Sequence, residues 1–434
     1  MLGIITLIVA LAARITFFVY QMVTKNRQTR VKHIARIAAF AGFSLLLLTG
    51  VYRWSFRWAG LFSLLTVWAV FSLLYFLRYP RPEKEYGGRA AVVSCLSGCI
   101  LLVITILPGI LFPQFAPIER TGPYAVETKS YTFVDRSRPD SFSGTGENRK
   151  LTVQFWYPAS GEHIGDSTLL LFSHGAFGFR GSNLSTFENL ASNGYVVGSI
   201  DHSYHAFFVR HADGSITPVD RDFLNEAVDV TNNVDDEAAI YEITRDWLAL
   251  RTADMNFVLE EIRNNLNQND PEAVYGLINP DKIGLFGHSL GGATAAQLGR
   301  ERTDIDAVIV VDGTMLGEQI GFENGRIVLQ SAPYPIPLLN LYNAEHYEEA
   351  LRLGTAYSNT AASAKAPEAY DVVIRGAGHL NFTDLPLFSP ALARTLGTGE
   401  VDRRYCIETM NRIILEFFDY TLRDAGKLHL QPEY

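Results

Sequence analysis

Cysteine is scarce in this chain, which has three among 434 residues. Cys95 and Cys99 lie within one apolar stretch, and Cys406 stands alone in the rest of the sequence. No Cys-x-x-Cys pair or Cys/His cluster has the spacing of a metal site, and no disulfide framework can be drawn. We therefore expect no metal and no cofactor, and we interpret the three cysteines as small apolar residues.

Acidic side chains are almost missing from residues 1–120, where 13 Lys or Arg accompany only 3 Asp or Glu. The remainder carries 24 basic and 43 acidic residues. The overall charge of −9 is therefore the sum of a positively charged front part and a negatively charged remainder. A basic, apolar front suits a membrane with anionic headgroups, and an acidic remainder suits a soluble globular domain. Because the acidic part has no basic run interleaved with aromatics, nucleic acid is not expected as a partner.

The front part contains four apolar stretches long enough to cross a bilayer core, which needs about 20 residues as helix. These stretches are Leu2–Val23, Ile34–Tyr52, Trp58–Leu77 and Ala90–Phe112. Arg14, inside the first stretch, is costly in mid-bilayer unless it faces protein or water. The sequence thus predicts an all-α transmembrane region over residues 1–112, followed by a proline-rich linker over 113–128.

The charges of the loops between these stretches predict an orientation. The first loop contains Lys25, Arg27, Arg30, Lys32 and Arg36, the third contains Arg78, Arg81, Lys84 and Arg89, and the middle loop has only Arg53 and Arg57. Basic loops stay on the cytoplasmic side. We therefore expect a multi-pass membrane protein in which everything after Phe112 lies on the extracytoplasmic side.

From Lys129 onward, short apolar runs alternate with longer helical patterns, as in a mostly parallel sheet with flanking helices. The predicted strands are 150–157, 168–173, 195–200, 282–286, 307–311, 336–342 and 370–375, and the predicted helices include 183–193, 235–266, 289–300 and 403–424. The polar composition of the stretch Asp135–Asn148 predicts a loop between strands. These patterns predict one α/β domain over residues 129–434.

The segment Gly287-His288-Ser289-Leu290-Gly291 lies between the predicted strand KIGLF and the helical pattern LGGATAAQL. A serine on such a tight strand-to-helix turn is forced out of the sheet, and the glycines allow close backbone approach. The helix N-terminus behind the serine favours a developing oxyanion. The motif and its context predict an α/β-hydrolase fold with Ser289 as nucleophile.

A serine hydroxyl needs a base, and in this fold the histidine follows the nucleophile in sequence. His379 follows the predicted strand YDVVIR on the loop GAGHLNF and is the best candidate. His346 is expected to be a surface helix residue, and His429 falls after the last helix. The orienting acid stays open at this point among Asp312, Glu345 and Asp384.

An oxyanion hole needs two backbone N–H donors, one of which should come from Leu290, directly after the nucleophile. The second is expected from the loop Ser173-His174-Gly175-Ala176-Phe177-Gly178, where Ala176 is our choice. His174 is interpreted as a buried turn histidine that holds this loop through a backbone hydrogen bond.

These residues resemble the plasma-type (isoform II) platelet-activating factor acetylhydrolases, from about Gly122 to Phe418. The similarity is concentrated in the blocks LLLFSHGAFGFR with the downstream LASNGYVVGSIDH, IGLFGHSLGGATAAQL, VVDGTM, IPLLNLYNAEHY and VIRGAGHLNFTDL. The resemblance implies Ser289 as nucleophile, Asp312 as acid and His379 as base, with the amides of Ala176 and Leu290 as oxyanion donors. It also implies hydrolysis of short or oxidised sn-2 acyl chains of phospholipids without calcium.

Two features depart from the family's secreted members: the four preceding apolar stretches and the segment Ser203–Asp246, which we expect to form a cap over the pocket. Two alternatives therefore stand beside a lipid hydrolase. One is a general short-chain carboxylesterase acting on small esters. The other is an inactive membrane sensor, against which the presence of Ser289, Asp312 and His379 argues. The sequence indicates no particular protein partner.

Overall fold

The computed structural model describes residues 2–78, 86–144, 146–159, 167–232, 236–266 and 274–434. The chain forms two compact units. The first comprises Met1–Ala116 together with Leu387–Ala393, and the second comprises Pro117–Pro386 together with Arg394–Tyr434. The short segment Leu387–Ala393, which the sequence placed in the α/β domain, thus packs within the first unit.

The first unit contains the helices α1 (Leu2–Thr24), α2 (Thr29–Leu48), α3 (Phe56–Leu77) and α4 (Gly88–Leu111). By length and composition all four are able to cross a membrane. Helix α2 begins at Thr29 rather than Ile34, because lysine and arginine are good helix formers whatever their hydropathy. It ends before Gly50, which adopts φ 77°, and not at Tyr52. Arg81 and Lys84 of the predicted third loop lie outside the described residues.

The core of the first unit is built around Trp58, which is almost fully buried. Its indole N–H donates to the Gln114 side chain over 3.0 Å. The ring lies against Gly109, where a β-carbon would come within 2.7 Å of it. Leu65 of α3 and Ile106 of α4 extend the same apolar core. Close helix packing here therefore depends on a glycine opposite a tryptophan.

The second unit is organised by an eight-stranded sheet in the order β1-β2-β4-β3-β7-β8-β11-β12. Its strands are β1 (Val126–Pro139), β2 (Asn148–Pro158), β3 (Ser167–Ser173), β4 (Val196–Asp201), β7 (Ile278–His288), β8 (Ala307–Val311), β11 (Leu338–Tyr342) and β12 (Ala369–Val373). From β4 to β12 neighbouring strands run parallel, whereas β2 is antiparallel to both β1 and β4. Parallel strands end at a common edge, which therefore gathers the residues that follow them.

Two hairpins and nine α-helices are also present in the described part of the chain after Pro117. The hairpins are β5 (Phe208–Arg210) with β6 (Ile216–Pro218), and β9 (Gln319–Glu323) with β10 (Arg326–Leu329). The helices are α5 (Leu184–Ser192), α6 (Arg221–Thr231), α7 (Glu237–Leu266), α8 (Leu290–Glu301), α9 (Ala344–Leu353), α10 (Ser358–Ser363), α11 (Leu385–Phe388), α12 (Pro390–Thr395) and α13 (Arg403–Arg423). Asp235, the predicted start of the long helix, lies outside the described residues.

The central strands contain continuous apolar runs because helices cover both faces of the sheet. On β7, Leu285 joins a core that contains Met255 of α7 and Ala295 of α8. The next residue, Phe286, faces the other way and contacts Phe187 of α5 and Phe418 of α13. The alternation of side chains along one strand therefore divides the helices into two layers.

The predicted linker to residue 128 was wrong for residues 126–128, and the predicted loop over Asp135–Asn148 was wrong for residues 135–139 and for Asn148. Residues 126–139 form β1, which pairs with β2 from Val126 opposite Pro158 onward. The strand carries mostly polar side chains because it lies at the sheet edge, where only a few residues, such as Tyr131 and Phe133, pack on the core. Its weak apolar pattern is the reason that the sequence did not reveal it.

Candidate active site

Ser289 occupies the turn between β7 and α8 in a backbone conformation that few residues adopt, with φ 56° and ψ −127°. Its N–H donates to the carbonyl of Val311 over 2.9 Å, which ties the turn to the neighbouring strand. Phe177 and Asp312, at the ends of β3 and β8, also have positive φ. Non-glycine residues held in such conformations cluster at functional sites, and here they mark one edge of the sheet.

The glycines of the serine motif are required by close backbone contacts. A β-carbon on Gly291 would lie 1.9 Å from the carbonyl oxygen of Ser173, and one on Gly287 would lie 2.2 Å from the Gly291 carbonyl. Any side chain at either position would push β3, β7 and α8 apart. The G-x-S-x-G spacing therefore permits the turn that presents Ser289.

Asp312 and His379 are hydrogen-bonded, with 2.6 Å between the histidine Nδ1 and the carboxylate Oδ2. Asp312 is 1% exposed. Burial opposes its charged form, but hydrogen bonds from His346 and His379 outweigh burial and hold the pKa of Asp312 below its ordinary value. Because the carboxylate is ionised, the histidine donates from Nδ1 and leaves Nε2 as the atom able to accept a proton.

The two other acids considered from the sequence have different surroundings. Asp384 is partly buried and accepts hydrogen bonds from the backbone N–H and the hydroxyl of Ser185 at the start of α5. Burial raises its pKa to about 6. Glu345 lies in the first turn of α9. The carboxylate that bonds His379 is that of Asp312.

His288, the second residue of the serine motif, links the nucleophile turn to the loop of His379. Its Nε2 lies 3.0 Å from the carbonyl oxygen of His379, and the two rings are 4.6 Å apart. Burial lowers the pKa of His288 to about 3, so the ring is neutral and donates from Nε2. No role was predicted for His288 from the sequence, although it stands directly before Ser289.

The loop after β3 lies against the serine turn, since a β-carbon on Gly175 would be 3.1 Å from the Ser289 Cβ. His174 Nδ1 donates to the carbonyl of Gly175 over 2.7 Å, as the sequence predicted for a loop-holding histidine. Arg251 approaches the same oxygen at 3.5 Å. In a trans peptide the N–H points opposite to the C=O, so the Ala176 N–H is directed away from these two donors. Leu290 is the first residue of α8, and its N–H has no acceptor within the helix.

Arg251 belongs to a fully buried polar network that supports this loop. Its guanidinium also donates to the carbonyls of His174 and His205. Burial lowers the pKa of Arg251 to about 9. Next to it, Asp254 accepts two bonds from the buried Arg149, at 2.6 and 2.7 Å. The loop after β3 is thus held by buried charged groups that are hydrogen-bonded inside the protein.

A family model for platelet-activating factor acetylhydrolase, isoform II, matches residues 161–428. The chain belongs to this family. The matched range contains Ala176, Ser289, Leu290, Asp312 and His379, and the family expected from the sequence is confirmed.

Curated relatives named platelet-activating factor acetylhydrolase are similar over part of their length. The protein of Bos taurus is 25% identical over 280 residues, and that of Canis lupus familiaris is 24% identical over 266 residues. Each match covers 57% of this chain and 56% of the relative, so the chain spans about half the length of these relatives. A solved ferulic acid esterase from Streptomyces cinnamoneus has a TM-score of 0.53 at 23% identity, covering 72% of this chain and 93% of its own. It shows the α/β-hydrolase fold.

In this acetylhydrolase-family chain a second histidine contacts the same carboxylate. His346, in the first turn of α9, places Nδ1 3.0 Å from Asp312 Oδ1. Its side chain is 31% exposed, so it is on a helix, as expected, but it is not simply a surface residue. Asn343 contributes two further bonds to Asp312, from its backbone N–H and its side-chain amide.

Asp312, His346 and His379 each offer one metal-ligand atom, and these atoms lie within 4.8 Å of one another. In the described ranges this is the group whose geometry suits a cation. Both histidines, however, already donate from Nδ1 to the carboxylate, so a bound metal would replace both hydrogen bonds. That no metal is needed stays a prediction.

We expect His346→Gln to change how stability depends on pH. The hydrogen bond to Asp312 raises the pKa of His346 above its unfolded value of 6.5. A raised pKa contributes stability that is fully present below about pH 6.5 and is lost as pH rises through the folded value. Urea unfolding of the full chain in detergent should therefore show a larger loss from His346→Gln at pH 5.5 than at pH 9.

The control is Leu351→Ala, which changes an exposed, non-ionising residue of the same helix. Its effect should be equal at the two pH values. An equal effect of His346→Gln at both values would contradict a charged contact with Asp312.

Proposed function

We propose that the chain is a serine ester hydrolase in which Ser289 is the nucleophile, His379 the base and Asp312 the orienting acid. The observation that carries this proposal is the buried Asp312–His379 hydrogen bond at the sheet edge where Ser289 adopts its unusual backbone conformation. Membership of the acetylhydrolase family supports the same assignment. An inactive sensor would have no need for this arrangement.

In the proposed mechanism, His379 Nε2 takes the proton of the Ser289 hydroxyl as its oxygen attacks the acyl carbon. The carbonyl electrons move onto the oxygen, and the N–H groups of Ala176 and Leu290 stabilise that oxyanion. His379 then gives its proton to the departing alcohol, which leaves an acyl-enzyme. Water, deprotonated by the same histidine, attacks the acyl carbon, and the histidine returns that proton to the Ser289 oxygen as the acid is released. Asp312 stabilises the imidazolium in both halves.

The proposed substrates are phospholipids with short or oxidised sn-2 acyl chains. The family and its curated relatives support this class. An apolar cluster beside the proposed oxyanion donors also fits a short acyl chain: Phe223 of α6 and Trp247 of α7 pack with Leu290, and Ala176 and Phe177 lie against them. Because α6 and the start of α7 belong to the expected cap, the cap residues would set acyl length.

A fluorophosphonate probe, which reacts with a serine that has a working base, tests the nucleophile. The wild-type chain should be labelled stoichiometrically, and Ser289→Ala should not be labelled. His379→Ala should slow labelling by about 10²–10⁴-fold, because proton removal contributes on that order. Mass spectrometry of the labelled peptide measures the site.

The matched control for labelling is Ser173→Ala, which removes a buried hydroxyl bonded to His202 and should leave labelling at Ser289 in place. Label on another serine, or none on the folded wild-type chain, would contradict the assignment. Turnover of short-acyl phospholipids and of nitrophenyl esters then separates a lipid hydrolase from a general carboxylesterase. Higher kcat/KM for the simple esters would favour the second.

Replacing Asp312 by Asn should lower kcat by about 10⁴-fold, because the imidazole loses the partner that sets its tautomer. Glu345→Gln, a change of the same chemistry in the adjoining helix, serves as the control and should alter kcat by less than about threefold. Steady-state hydrolysis of a short-acyl phospholipid measures both. If Glu345→Gln lowered kcat strongly and Asp312→Asn lowered it only slightly, the orienting acid would be Glu345 and not Asp312.

We also propose that the four apolar helices cross the membrane with the catalytic unit on the extracytoplasmic side, as the loop charges indicate. A membrane-impermeant thiol reagent should label Glu119→Cys in intact cells and should leave Arg30→Cys unlabelled. Both positions are exposed, so both should react once the cells are permeabilised. The wild-type chain, with Cys406 buried, provides the blank, and the opposite labelling pattern would place the catalytic unit in the cytoplasm.

A further inference from the structure

Three cationic side chains meet inside the first unit, and none of the chemistry proposed above uses them. We define the basic cluster as Arg14 of α1 together with Lys32 and Arg36 of α2. All three lie within helices whose other residues are mostly apolar. Cations in such helices are rare and usually mark a ligand or a functional pathway.

The three cations converge on two shared neighbours. Arg14 Nη2 lies 3.2 Å from the Ser94 hydroxyl and also donates to the Ser94 carbonyl, and Lys32 Nζ lies 3.4 Å from the same hydroxyl. The guanidinium carbons of Arg14 and Arg36 lie 6.0 and 5.1 Å from the centre of the Trp68 ring. One tryptophan and one serine thus hold like charges close together.

Space for this arrangement is provided by Gly98 of α4. A β-carbon there would lie 2.5 Å from Arg14 Nε, so the guanidinium rests directly on the backbone of the neighbouring helix. The position of Arg14 is therefore set by packing within the bundle, and the side chain is not simply extended toward the membrane surface.

The cluster has no protein counter-charge in the described part of its unit. Residues 2–78, 86–116 and 387–393 contain no Asp or Glu. The Nε–H groups of Arg14 and Arg36 are buried without an acceptor among the described residues. One serine offers far fewer acceptors than two guanidinium groups and an ammonium group have N–H donors. Partly buried cations without a counter-charge call for an anionic ligand.

We propose that the basic cluster binds the phosphate of an anionic phospholipid headgroup. Guanidinium groups bind phosphate through paired N–H donors, and lysine adds a point charge. Lys32 and Arg36 lie in the first two turns of α2, beside the first loop, where anionic lipids are concentrated if the proposed orientation holds. This inference rests on the proposed membrane insertion of the four helices.

The test uses the full chain in lipid nanodiscs, with retained lipids counted by native mass spectrometry. Phosphatidylglycerol should be retained in preference to phosphatidylcholine. Each of Lys32→Gln and Arg36→Gln should lower that preference about fivefold, since each basic residue near the surface contributes about 1 kcal/mol. Arg36→Lys keeps the charge and should retain most of the preference.

Arg53→Gln is the matched control, because it removes an exposed arginine from the other end of the bundle and should leave the preference unchanged. Equal loss in Arg53→Gln, or equal retention of the two lipids by the wild-type chain, would overturn the proposal. Inorganic phosphate is added as a competitor in a separate arm. Displacement of the lipid by phosphate at low millimolar concentration would assign the site to a free anion instead.

Alkaline extraction of the membranes distinguishes a failure of the headgroup site from a failure of the proposed membrane insertion. A chain that stays in the membrane but shows no lipid preference contradicts the headgroup site alone. A chain that is extracted contradicts membrane insertion, and the headgroup site fails with it. Fluorophosphonate labelling of Ser289 is independent of both results.

Discussion

The structure of the candidate site depends on one buried negative charge, the carboxylate of Asp312. A carboxylate removed from water must be compensated by hydrogen bonds, and this one receives four, from Asn343, His346 and His379. These donors come from the end of β11, the start of α9 and the loop after β12. Satisfying a single charge therefore brings two separate segments, 343–346 and the loop of His379, to Asp312 at the edge of the sheet and determines which nitrogen of His379 is free.

A second set of buried charges supports the opposite side of the site. The ion pair of Arg149 with Asp254 lies beside Arg251, which holds the carbonyls of the loop after β3. Removing one partner of such a pair would leave an uncompensated charge in the interior. The polar interior is therefore tied to a particular loop conformation, the one that directs the Ala176 N–H away from Arg251. The unusual backbone of Ser289 persists between these two rigid regions.

Much of the fold could be predicted because the central strands have an apolar sequence pattern that is easy to recognise. The strands β3, β7 and β8 are covered on both faces, so each contains an uninterrupted apolar run and leads into residues of the candidate site. The edge strand β1 was missed because it packs through a few side chains only. His346 was interpreted as a surface residue because its helix is amphipathic and exposed. Nothing in the local sequence pattern of this helix shows that its first turn contacts Asp312.

The sequence by itself determined the class of the fold, the apolar N-terminal helices, and the proposed nucleophile and base, since each of these depends on local pattern and order along the chain. A serine between two glycines at a strand-to-helix turn has few other uses. The structure shows the contact between Asp312 and His379 that the family resemblance had implied. Tertiary structure alone decided where Arg14 meets Lys32 and Arg36, and how Arg251 reaches the loop of Ala176. These are contacts between residues distant in sequence. They depend on strand order and helix packing, which local periodicity does not encode.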